Sequence, residues 1–217
     1  IVSLSWILFS LFGMLPFMIG GYLPSATDAF FETMSGFTTT GATVMDNIDS
    51  LPHGILFWRS MTQWLGGMGI IVLTLAILPM LNSGEGTQLF NAEVPGVRHD
   101  KITPRINQAA KRLWMLYLAI TLISAGILYL GPMNLFDSIC HAFTAMATGG
   151  YSTKQASIAY WNSAYTEYVI TAIMFIAGIN FSLIYIAVTG KYKKLLRDQE
   201  VKWYAAMTLL VTIIVCI

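Results

Sequence analysis

Long apolar blocks separated by short polar stretches set the pattern of this chain. Residues 1–23 carry no charged side chain, and neither do 60–81, 113–136 and 168–190; a fifth block opens at Trp203 and continues to Ile217. Each of the first four is near or above the roughly 20 residues a helix needs to cross a bilayer. The pattern predicts an all-α integral membrane protein. The connections within the first and second pairs of blocks are themselves too apolar for aqueous loops. Phe30, Phe31, Met34 and Phe37 lie in one, and Ile139, Ala142, Phe143 and Met146 in the other. Each reads as a short amphipathic helix that enters the membrane and returns on the same side.

These two connections repeat each other. One runs from Asp28 to Thr40-Gly41-Ala42-Thr43, the other from Asp137 to Thr148-Gly149-Gly150-Tyr151-Ser152. Setting Gly41 against Gly149 pairs Thr40 with Thr148, and the blocks that follow match as Trp64–Gly69 against Phe175–Asn180. The expected architecture is a helix–pore-loop–helix unit used twice, related by pseudo-symmetry around a pore as in K⁺ channels. Residues 1–81 form the first unit, 82–112 a connector and 113–190 the second unit. Residues 191–202 form a loop, and 203–217 the start of a third unit's first helix. Because the chain starts and stops inside apolar runs, a fragment of a longer protein is expected. No charged leader marks a secretory signal.

Non-helical backbone at membrane depth is tolerated only where it is buried in protein or lines a water-filled cavity. A ring of backbone carbonyls there can replace the hydration shell of a bare cation. Glycine supplies the required backbone angles without a Cβ penalty. Thr39, Thr40 and Gly41 in the first loop, with Ala147, Thr148 and Gly149 in the second, are the candidate ion ligands. The absence of an evident carboxylate ring argues against a divalent ion. The second loop has Met146 and Ala147 where the first has Thr38 and Thr39, so hydroxyl ligation is lost there while carbonyl ligation is not.

Charge adds orientation. Only 11% of residues are charged, against about 25% in soluble domains, and 56% are hydrophobic. A net charge of +1 offers no field for nucleic acid. Arg98, Lys101, Arg105, Lys111 and Arg112 follow the second block, while Lys191, Lys193, Lys194, Arg197 and Lys202 follow the fourth. By the positive-inside rule both clusters are cytoplasmic and the repeated loops lie outside. The outer side carries Asp28, Glu32, Asp46, Asp49, Asp137 and Glu167, an acidic balance that modestly concentrates cations. Cys140 and Cys216 read as small buried hydrophobes.

Arg59 opens an apolar helix where an unpaired charge is costly, so a partner is expected. Glu32 is the candidate, the two bracing the first loop from behind; the matching second-unit positions are Ile170 and Cys140, both uncharged. Gly66, Gly67 and Gly69 lie mid-helix, as a flexible point or, favoured here, as a close-packing surface. His141 reads as a satisfied buried histidine, and Asn180 as a cavity-facing or hydrogen-bonding residue. Trp58, Tyr160, Trp161 and Trp203 fit interfacial anchoring. No nucleotide loop, metal-ligand cluster or nucleophile–base set is present, so no enzymatic activity is expected. A secondary transporter with re-entrant hairpins remains the alternative, although the mid-depth ionisable pair such sites use is not evident.

The sequence resembles the Trk/Ktr/HKT family of potassium transporters over essentially its whole length. The resemblance rests on Phe-Thr-Thr-Thr-Gly-Ala-Thr at 37–43 and Phe-Trp-Arg-Ser-Met-Thr-Gln-Trp-Leu-Gly-Gly-Met-Gly at 57–69. It extends to Lys-Ile-Thr-Pro-Arg at 101–105 and Ala-Thr-Gly-Gly-Tyr-Ser-Thr at 147–153. It implies K⁺ as the transported ion and no organic cofactor in this chain. It also implies four non-identical units around one pore in the bacterial inner membrane, and a homodimer of the full-length subunit in lipid. A cytoplasmic nucleotide-binding regulatory subunit of TrkA-like type is implied as well, with 98–112 as its contact region.

Overall fold

The computed structural model describes residues 2–81 and 102–216. Every regular element among them is helical. The first apolar block forms α1 (Val2–Gly13) and α2 (Leu15–Ile19). Pro16, which has no N–H to give the preceding turn, stands at their junction. A short helix, α3 (Ala26–Phe37), follows; its N-cap Ser25 accepts the Asp28 N–H at 3.4 Å. The chain then turns through 38–52 into α4 (His53–Leu81), whose 29 residues span about 43 Å at 1.5 Å per residue.

The second half repeats this order. Helix α5 (Ile102–Tyr129) contains the stretch 110–129, long and apolar enough for a straight crossing, with mean hydropathy 1.6. The short α6 (Leu135–Met146) is capped by Asn134, which accepts the Asp137 N–H at 2.8 Å. Helix α7 (Ala164–Ala177) returns across the core. Residues 82–101 of the expected connector, including Arg98 and Lys101, lie outside the described residues; Lys111 and Arg112 are exposed on α5.

The block 168–190 is not one straight helix, contrary to its charge-free pattern. Helix α7 stops at Ala177, and the segment 181–197 leaves it at 97°. This segment begins as α8 (Phe181–Ile186), kinks at Gly190 (φ +96°) and ends as α9 (Tyr192–Arg197). Asn180 makes the corner by accepting the Ser182 N–H at 3.0 Å, which caps α8, and it reaches Glu200 at 3.4 Å. From α10 (Gln199–Cys216), Tyr204 stacks on Phe175 and donates to its carbonyl at 3.2 Å. A broken helix frees backbone groups that a neighbour has to satisfy, and α10 supplies that neighbour.

Helix α4 is the common wall of the two halves, packing on α3 of its own hairpin and on α5 and α6 of the other. One apolar core joins Phe17, Ala29, Ile55 and Leu56 in the first half; a second joins Tyr117, Met146, Ile170 and Ile173, with Trp64 against it. The Trp58 indole N–H donates to the Gly13 carbonyl at 2.9 Å and ties α4 to α1.

Candidate functional site

The two hairpins share one geometry at a constant spacing of 109 residues: the caps Ser25 and Asn134, Asp28 and Asp137 after them, then Thr39 and Thr148, Gly41 and Gly150. Thr39 (φ 54°) matches Thr148 (φ 53°) as a left-handed residue that is not glycine, and Gly41 (φ 78°) matches Gly150 (φ 87°). This corrects the register read from the letters, which set Gly41 against Gly149. Ala147 therefore corresponds to Thr38, both closing their helices, and Glu32 corresponds to His141 rather than Cys140.

Hydrogen bonds repeat at the same spacing. The Thr39 and Thr40 N–H groups turn back to the Gly36 and Ser35 carbonyls, each at 2.9 Å. The Thr148 and Gly149 N–H groups turn back to Ala145 and Thr144 at 3.0 and 2.9 Å. In a planar trans peptide the N–H and C=O point opposite ways. The carbonyls of Thr38, Thr39, Ala147 and Thr148 are thereby aimed away from the half-helices, and none accepts a hydrogen bond from a described residue. Thr38 and Thr40 join hydroxyls at 2.8 Å.

The hairpins meet tip to tip. A methyl group at Gly41 would fall on the Gly149 carbonyl oxygen, and one at Gly149 on the Gln63 side-chain amide. Gln63 is fully buried on α4 and accepts the Tyr151 N–H through Oε1 at 3.1 Å. Its Nε2 is the one buried side-chain polar atom without a hydrogen-bond partner among the described residues. Leaving such a donor unpaired costs about 1–3 kcal/mol. Sequence reasoning passed over Gln63; a lone amide in an otherwise apolar stretch was the available signal.

Behind the junction sits a buried charge network. Arg59 Nε lies 2.9 Å from Glu32 Oε1, with the two side chains only 1% and 0% exposed. Arg59 Nη1 donates to the Ser152 carbonyl at 3.1 Å, and Nη2 to the Thr43 hydroxyl, also at 3.1 Å. The guanidinium carbon stands 4.2 Å from the centre of the Tyr151 ring. Tyr151 in turn donates its hydroxyl to the Glu32 carbonyl at 2.7 Å. Thus a side chain of the first unit grips the second loop, and one from the second loop reaches into the first hairpin. Tyr151 carried no separate weight in the sequence.

The second hairpin uses uncharged parts at matching positions. His141 meets Ser152 at 3.0 Å where Glu32 meets Thr43, and its other ring nitrogen meets the Asp137 carbonyl at 2.8 Å. Two of the acidic residues assigned to the outer face are buried instead. Glu32 is in the network above, and Asp137 accepts from the Thr153 hydroxyl at 2.6 Å and from Asn134 at 2.9 Å. Neither acts as an exposed charge. Asp49 remains exposed and approaches Lys154 at 3.9 Å. Cys140 is buried beside His141.

The three mid-helix glycines of α4, Gly66, Gly67 and Gly69, differ. A Cβ on Gly66 would enter the Phe37 carbonyl, and one on Gly67 would touch Ala147 and the Tyr117 hydroxyl at 3.0 Å, whereas Gly69 has open space. Gly66 and Gly67 thus let α4 lie against the ends of both half-helices. Gly66→Ala is expected to destabilise the protein by about 1–3 kcal/mol through overpacking, with Gly69→Ala near neutral. Thermal unfolding of the two purified variants checks this contrast; equal shifts would contradict it.

The described residues, helical in every regular element and largely apolar, with two short helices whose following loops meet, are consistent with an all-α membrane protein. The family model described as TrkH, cation transport protein, matches residues 1–215. The chain belongs to this family of cation transporters, which is not a family of enzymes. It is 43% identical to the Trk system potassium uptake protein TrkH of Salmonella typhimurium over 217 residues, covering 99% of this chain and 45% of that protein. Against the Vibrio parahaemolyticus protein of the same name identity is 48% over 185 residues, 84% of this chain and 38% of the relative. The crystal structure of the potassium transporter TrkH from Vibrio parahaemolyticus superposes with a TM-score of 0.84 at 38% identity, covering 99% of this chain and 43% of that one. The chain therefore spans less than half the length of these relatives.

Proposed function

We propose that this chain forms two of the four units of a K⁺-conducting pore, within the membrane subunit of a Trk-type uptake system. The single observation that carries the reading is the joined pair of loops, whose N–H groups turn back into their half-helices while their carbonyls turn outward. Alternating left-handed and ordinary residues keep neighbouring carbonyls on one side, unlike a strand, where orientation alternates. Oxygens of Thr39, Thr40 and Gly41 and of Ala147, Thr148 and Gly149 then replace water about a monovalent ion, with Gly150 added by the corrected register. The half-helices point their partly negative C-terminal ends at the same place. The Arg59–Glu32 pair holds the first loop from behind, and Gly66 and Gly67 let α4 seat both loops; Gly69 takes no part.

In this reading two further units, in the remainder of the protein, complete the ring around a pseudo-symmetry axis. The loops face outward from a bacterial inner membrane and the basic segments face the cytoplasm. The names of the relatives, which refer to a Trk system, support further components. The full-length subunit pairs with a second copy in lipid and is gated by a TrkA-like nucleotide-binding partner, with 98–112 as its contact.

Radioactive rubidium uptake by the complete protein in proteoliposomes tests the transport reading. Excess unlabelled K⁺ is expected to suppress uptake, and equal Na⁺ to leave most of it. Failure of K⁺ to compete would overturn the reading.

A further inference from the structure

We propose that Gln63 is a specificity-determining positioning residue, a strut from the first unit that fixes the carbonyl direction of the second unit's loop. The proposal rests on the pore reading above. Gln63 Oε1 takes the Tyr151 N–H at 3.1 Å. Because that N–H is pinned toward α4, the Gly150 carbonyl of the same planar peptide is turned the opposite way, toward the open side of the loop. No other described residue bonds to the Tyr151 N–H. Gly150 has φ 87° and no neighbour within 4 Å of a Cβ position, so no side chain of its own packs to fix this peptide.

The first loop is not held in this way. There Ala42 is the residue matching Tyr151, and its carbonyl accepts the Ser35 hydroxyl at 2.6 Å and the Tyr151 hydroxyl at 3.3 Å. The first loop is thus held by hydroxyls at the Ala42 carbonyl, and the second, one peptide earlier in the matching register, by an amide from the neighbouring unit at the Tyr151 N–H. Gln63 is also wedged against Gly149, whose carbonyl touches Gly41, so its amide stands against a contact between the two loops. An amide is suited to this task because it accepts a hydrogen bond without charge. A carboxylate there would add a second anion near Glu32 and draw cations off the axis. Discrimination between ions of equal charge depends on where carbonyls stand and how stiffly they are held. A freed Gly150 peptide therefore admits Na⁺ more readily.

Gln63→Met keeps the length and volume of the side chain and removes the acceptor. In proteoliposomes containing the complete protein, the ratio of rubidium to sodium uptake is expected to fall about tenfold, equivalent to about 1.4 kcal/mol, with rubidium uptake still K⁺-sensitive. Gln63→Asn, one methylene too short for the same bond, is expected to shift the ratio in the same direction, and it carries the test if Gln63→Met does not accumulate. An unchanged ratio in the variant that folds overturns the strut. Absence of K⁺-sensitive uptake in the unsubstituted protein overturns the pore reading itself, and the two failures are distinguishable.

Discussion

Replacing Arg59 with alanine is expected to abolish rubidium uptake and to cost about 3–5 kcal/mol of stability, the range for removing one member of a buried ion pair. The reason is what remains. Glu32 would keep its charge at 0% side-chain exposure, with only the Thr43 hydroxyl and the Val44 N–H to hold it. Ser152 would lose the donor to its carbonyl, and Tyr151 the cation over its ring. Both loops therefore loosen from one substitution. Glu32→Ala alone should be nearly as harmful, since it strands the guanidinium. Adding it to Arg59→Ala should do little more, because the stranded carboxylate is then gone as well. Thermal unfolding and uptake of the two single variants and the double variant form the measurement. Additive losses across the cycle would show that the two side chains act independently.

Gly41→Ala is expected to reduce uptake at least about 30-fold. A left-handed alanine costs about 1–2 kcal/mol, overpacking about 1–3 kcal/mol, and each 1.4 kcal/mol is a factor of ten. Both costs apply at Gly41, where φ is 78° and the new methyl group meets the backbone oxygen of Gly149, which cannot rotate away. Gly150→Ala separates them: its φ of 87° carries the strain, but the surrounding space is open, so a loss near tenfold is expected from the strain alone. Uptake rates of the two variants at matched protein amounts decide the matter. Equal rates would mean that the loops do not touch in the working protein.

Much of this site could be read from residue types. A charge at Arg59 in an apolar helix calls for an acid within reach, and Glu32 in the preceding short helix was the available one; the two lie 2.9 Å apart. The apolar residues of α6 include the buried Ala142 and Met146, whereas α3 buries Glu32, Thr33 and Ser35 beside Phe37 and leaves Phe31 exposed. The register of the repeat was less visible. Matching Thr-Gly to Thr-Gly aligns letters, yet the backbone counts from the caps Ser25 and Asn134, and from there Gly41 falls opposite Gly150. Because a threonine takes the left-handed turn in both loops, glycine was a misleading landmark. The break after Ala177 was hidden because absence of charge says nothing about continuity; Gly178 and Asn180, a residue with little side chain and a ready cap, were the clue. Gln63 escaped for another reason: its role lies in a contact 88 residues away, which local pattern does not encode.

The bond from Arg59 to the Ser152 carbonyl spans 93 residues of sequence. During synthesis the first hairpin and its arginine reach the membrane well before their last partner has left the ribosome. Glu32 and Thr43 are already there to pair with the guanidinium, but one of its donors waits for Ser152. Final shape of the first loop is thus a late event in assembly, reached only when the second hairpin docks. A truncation that stops short of residue 152 would leave the first hairpin inserted and unfinished.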